Sequence, residues 1–142
     1  MPKLRLSVLL AVCLLTPLAS QAGGLCSAFN YKSATLEGAV DACVAGTGFL
    51  RASCSQHVTC SPDMPVCTAF GYSGSYVESA VNECMDGAGF SWASCAQAVS
   101  CRNAQICTAF GYSGTTPEGA ADACVAGTGF LRASCVDNVS CN

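Results

Sequence analysis

The stretch CVAGTGFLRASC stands at residues 43–54 and returns, letter for letter, at 124–135. A cysteine closes each end, and working outward finds two more at fixed distances, Cys26 upstream and Cys60 downstream. The resulting spacing, C-x16-C-x10-C-x5-C, recurs at Cys67, Cys84, Cys95 and Cys101, and again at Cys107, Cys124, Cys135 and Cys141. Self-similarity at a period of about 40 residues is the signature of a tandem array. The second and third copies also share CTAFGYSG at residues 67–74 and 107–114. The connections SPDMPV and RNAQI are short, and the first carries Pro62 and Pro65, which marks an irregular link.

The chain opens MPKLRLSVLLAVCLLTPLASQAGG. Two basic residues, an apolar run and small residues at Ser20-Gln21-Ala22 form the order of a secretory signal peptide, with cleavage expected after Ala22. The apolar run is shorter than the roughly 20 residues a bilayer requires, and Pro17 ends it. Neither Cys13, which follows Val12, nor Cys26, which follows Leu25, has the small preceding residue of a lipid-acceptor cysteine. The expected organisation is a signal peptide at 1–22 and cysteine-rich repeats at 23–61, 62–102 and 103–142, secreted to an extracellular or periplasmic space without membrane insertion. Cleavage removes Lys3 and Arg5, so four basic residues remain against nine acidic ones, a net charge of −5. Such a surface lacks the lysine and arginine patches that nucleic acid or anionic membrane would select.

An even number of cysteines at fixed spacing in an exported chain reads as a disulfide framework. Structural zinc favours close pairs such as C-x2-C, and the shortest gap here is five residues. A unit of about 40 residues sits at the lower limit for folding on its own core, and each bridge adds roughly 2–4 kcal/mol by restricting the unfolded chain. Constant spacing within units and variable linkers between them predict two bridges inside each unit. The first cysteine and the helix cysteine are each expected to pair into the later half of the unit, because a helical run between Cys54 and Cys60 would hold those two too far apart.

Leu36, Ala39, Val40, Cys43 and Val44 stand at i, i+3, i+4, i+7 and i+8, one face of an amphipathic helix. Val77, Ala80, Val81, Cys84 and Met85 repeat the face, as do Pro117, Ala120, Ala121, Cys124 and Val125. Thr116 is placed to cap, Glu37, Glu78 and Glu118 lie in the first turn, and Gly46, Gly87 and Gly127 are read as the closing left-handed residues. Phe49 to Val58 predicts a second short helix, although the V-T-C and V-S-C ends also suit strands. The expected class is therefore small, disulfide-rich and mainly α, with two short helices in each of three units.

Catalytic chemistry finds little support. His57 aligns with Ala98 and Asn138, so the imidazole is absent from the repeating pattern, and no serine or cysteine nucleophile has a recurring base. The acids Glu37 and Asp41 recur as Glu118 and Asp122, but the middle unit has Glu78 with Asn82, and a solvated helix face explains them. No enzyme, no cofactor and no metal is expected.

Two recurring features are candidates for binding. Phe29 with Tyr31, Phe70 with Tyr72 and Phe110 with Tyr112 stand at i and i+2, on one face if the segment is extended, where they could stack on a sugar or a hydrophobic partner, although packing in so small a core is the favoured reading of these rings. Arg51, Trp92 and Arg132 share one position between the second and third cysteines, where a disulfide-held loop would offer bait to a protease. The leading expectation is a non-catalytic binding or structural module whose partner is an extracellular protein or carbohydrate. A multi-headed protease inhibitor and a secreted toxin or effector are the alternatives. Asn138-Val139-Ser140 is a glycosylation sequon in a eukaryotic host.

Overall fold

A computed structural model describes residues 24–142; the signal-peptide reading lies outside the described residues. The first unit runs β1 (Cys26–Ala28), β2 (Tyr31–Ser33), α1 (Leu36–Thr47), α2 (Arg51–Gln56) and β3 (Val58–Cys60). The second repeats the order as β4 (Val66–Ala69), β5 (Tyr72–Gly74), α3 (Val77–Ala88), α4 (Trp92–Gln97) and β6 (Val99–Arg102). The third gives β7 (Cys107–Ala109), β8 (Tyr112–Gly114), α5 (Pro117–Thr128), α6 (Arg132–Val136) and β9 (Val139–Cys141).

Each unit contains a three-stranded antiparallel sheet with its first strand in the centre, in the orders β2-β1-β3, β5-β4-β6 and β8-β7-β9. The mainly α expectation is thereby corrected: the fold is a repeated unit of sheet plus helices. The strands were hard to read because they are only three or four residues long and built largely from Ala, Ser, Thr, Cys and Gly, so no apolar alternation develops.

One bridge in each unit staples the sheet and the other joins the two helices. Cys26 and Cys60 face each other across β1 and β3 and are bridged, as are Cys67 with Cys101 and Cys107 with Cys141. The second bridge ties the long helix to the short one, Cys43 to Cys54, Cys84 to Cys95 and Cys124 to Cys135. All six bridges lie within units. Leu36, Ala39, Val40 and Cys43 of α1 are buried with Cys26, Ala28 and Cys54. The second and third units share a continuous core that also takes in Ala52 of the first.

Helix ends follow local chemistry. The hydroxyls of Thr35 and Thr116 accept the N–H groups of Gly38 and Gly119 at 3.0 and 3.1 Å. The left-handed C-caps are Gly48, Gly89 and Gly129, with φ of 73°, 70° and 74°, two residues later than expected from sequence. Gly46, Gly87 and Gly127 instead lie inside the helices under the rings of Tyr31, Tyr72 and Tyr112, where a Cβ would strike the ring.

Successive units dock the same way. A trailing face, made by the start of the long helix and by the short helix, meets the hairpin of the following unit. Glu37 accepts the N–H of Ser75 at 2.9 Å, the hydroxyl of Ser75, and the hydroxyl of Ser79 at 3.3 Å. One junction later Glu78 accepts the N–H and hydroxyl of Thr115 at 2.9 and 2.6 Å. The buried Ser55 hydroxyl donates to the carbonyl of Ser73 at 2.9 Å and accepts its N–H at 2.8 Å. The solvated-face reading of the helix-start acids is thus corrected for Glu37 and Glu78, which bind the next unit.

Candidate binding surface

The hairpin between the first two strands of each unit turns on two residues with positive φ. They are Phe29 and Asn30 (46° and 72°), Phe70 and Gly71 (49° and 85°), and Phe110 and Gly111 (49° and 82°). Two left-handed residues in a two-residue loop match the twist of a tight hairpin, and Gly or Asn is the usual choice. A phenylalanine there is uncommon and costs on the order of 1 kcal/mol or more. All three units nevertheless hold one.

These rings are not buried in return. Phe29, Phe70 and Phe110 are 39%, 54% and 49% exposed. Each meets a second exposed ring just beyond the C-cap of the long helix: Phe29 with Phe49, Phe70 with Phe90, Phe110 with Phe130. Centroids are 5.4, 5.0 and 5.4 Å apart in edge-to-face geometry. His57 adds a tilted contact to Phe29 at 4.4 Å, and its Nδ1 lies 2.9 Å from the carbonyl of Ser53. In the first and third units Leu50 and Leu131 follow, 77% and 79% exposed, so the pair continues into an apolar patch.

The expected one-face pairing of Phe29 with Tyr31, Phe70 with Tyr72 and Phe110 with Tyr112 does not occur. The phenylalanine sits in the turn, where the left-handed backbone breaks the two-residue alternation, while the tyrosine lies on a strand against the helix. Tyr72 and Tyr112 are buried and Tyr31 is half-buried. Phe49, Phe90 and Phe130 were missed; their signal was the recurring G-x-G-F after the helix.

Arg51, Trp92 and Arg132 each begin a short helix and do not lie on an extended bait loop. Arg51 pairs with Asp41 of its own unit and, through Nε at 2.6 Å, with Glu83 of the next. Arg132 pairs with Asp122, and Trp92 packs on the core shared with the third unit. Burial tends to lower the Arg51 pKa, but Asp41 and Glu83 outweigh it and the net shift is upward. Burial dominates at Glu83 and raises its pKa against the opposing pull of Arg51; its Oε2 is buried with no hydrogen-bond partner. At Glu37 burial also pushes upward, yet the hydrogen bonds from Ser75 and Ser79 and from its own backbone N–H bring the pKa below the ordinary value.

A groove of about 370 Å³ runs between the first and second sheets, lined by Val58, Thr59, Val66, Thr68, Ser100 and Arg102 among others. It gathers no pair of titratable groups. Among the described residues no cluster of His, Cys, Asp or Glu is arranged to hold a metal ion, and no helix is long and apolar enough to cross a membrane. Asn138 is exposed, with its amide donating to the carbonyl of Ser134 at 2.8 Å. No family model, curated protein or solved structure matches the chain.

Proposed function

We propose that this is an exported, non-catalytic binding module that engages an extracellular protein through its three phenylalanine pairs. The observation that carries the reading is the exposed phenylalanine held at positive φ in every hairpin. Backbone strain kept in three copies, at a position that neither fills the core nor satisfies a polar group, is accounted for by what the side chain offers outward. Two disulfides in each unit make it a stiff support, so the rings are positioned before binding and little ordering cost remains.

A protein partner is favoured over a carbohydrate by the surroundings of the rings. Sugar sites combine an open aromatic face with hydrogen-bonding groups, whereas these pairs stand edge to face beside Leu50 and Leu131. Three weak sites on one chain gain avidity on a partner that presents several matching sites.

The test is capture from the native extracellular medium on immobilised protein, comparing wild type with the triple variant F29A/F70A/F110A. A protein retained by wild type and lost from the variant is the expected result. Equal retention by a variant whose circular dichroism is unchanged contradicts the proposal, and selective capture of a glycan would move the partner to carbohydrate.

A further inference from the structure

The two internal junctions define what covers a trailing face, and among the described residues nothing covers the trailing face of the third unit. Leu36, Ala52 and Ser55 are buried in the first unit, and Val77 and Ala96 in the second. Their counterparts in the third unit, Pro117, Ala133 and Val136, are exposed, as is Glu118, the counterpart of Glu37 and Glu78. At the other end, no described unit covers the hairpin of the first unit. Tyr31 is half-buried where Tyr72 and Tyr112 are buried, and Lys32 is exposed where Ser73 and Ser113 are buried.

We propose that the protein associates head to tail with further copies of itself, the trailing face of the third unit docking on the hairpin of the first unit of the next copy. The inference is independent of the phenylalanine pairs. Transferring the internal junction to this contact places the Glu118 carboxylate on the backbone N–H of Ala34, as Glu37 and Glu78 accept the N–H groups of Ser75 and Thr115. It sets Ala133 on Tyr31, as Ala52 meets the shared core beside Tyr72.

The end units depart from the internal pattern in complementary ways. Where Ser55 meets Ser73 inside the chain, the ends offer Val136 and Lys32, a larger apolar side chain against an aliphatic stem. Asp137 stands where the other units have Gln56 and Gln97, and supplies the charge opposite the Lys32 ammonium. A contact between two different faces of identical chains has no built-in limit and extends unless the rotation closes a ring.

Sedimentation of the purified, oxidised protein from about 1 to 300 μM, a range that reports contacts of micromolar to submillimolar strength, tests this. The weight-average mass should rise with concentration. The end-blocked variants A133W, whose indole would collide with Tyr31 at the contact, and K32E, which sets like charge against Asp137, should each need at least tenfold higher concentration to associate. Mixed one to one, they should form a species of twice the monomer mass that grows no further, because each supplies the face the other lacks. Both positions are exposed; should either variant lose its circular dichroism, E118R or A34D on the same face replaces it. A monomer at every concentration, a variant that self-associates like wild type, or a mixture that stays monomeric would each overturn the proposal.

Discussion

Glu37 and Ser75, 38 positions apart, are joined twice: one carboxylate oxygen takes the backbone N–H at 2.9 Å and the other takes the hydroxyl. This is the polar centre of the first junction, and Glu78 with Thr115 reproduces it at the second. Hydrogen bonds to a charged group contribute more than neutral ones, so E37A should lower stability by about 1–2 kcal/mol, allowing for partial exposure. Chemical denaturation with the disulfides intact measures it.

The same carboxylate gives a pH dependence. Its folded pKa lies below the ordinary value, so its contribution is fully present above the unfolded pKa and is lost as pH falls through the folded one. The stability gap between wild type and E37Q should therefore narrow as the pH is taken below about 4. Glu83 carries the opposite sign, because its folded pKa is raised and protonation relieves a buried charge. E83Q should make the acid loss steeper than in wild type. A gap between wild type and E37Q that widens in acid would contradict the sign assigned to Glu37.

Among the described residues Arg51 is the only side-chain hydrogen-bond partner of the nearly buried Glu83, and its removal leaves that charge uncompensated. R51A should cost about 1–3 kcal/mol, less than a fully buried pair because the guanidinium is 43% exposed. The first and third units place Ala42 and Ala123 where the second has Glu83. R51A/E83A should accordingly recover part of the loss, and a double variant weaker than R51A would show that the pair is not the cause.

The parts legible in the sequence are those repeated with long-range regularity. The cysteine spacing indicated the units, and the i, i+3, i+4, i+7 pattern from Leu36 located the long helix. The strands were not legible, since runs such as Cys26–Ala28 are too short to display a period. The binding candidates were half legible: Phe29, Phe70 and Phe110 were singled out, but their partners Phe49, Phe90 and Phe130 lie 20 residues away and meet them only once the hairpin folds beside the end of the helix. The junction role of Glu37 needed a residue 38 positions distant, which no local pattern reveals.

Gly87 separates packing from propensity. In an isolated helix alanine is better than glycine by about 1 kcal/mol. Here an added Cβ would collide with the Tyr72 ring and crowd Ala52 across the junction at 2.8 Å, so G87A should instead lose about 1–3 kcal/mol. Differential scanning calorimetry should show a lower melting temperature, and a rise would contradict the close packing of helix and hairpin.

The residence time of the captured partner on chains with three, two, one and no intact phenylalanine pairs tests the central claim most directly. Three equivalent, jointly used sites predict a stepwise acceleration of dissociation as Phe110, Phe70 and Phe29 are successively replaced by alanine, with the largest step on going from two pairs to one. Residence times unchanged through the whole series would contradict it.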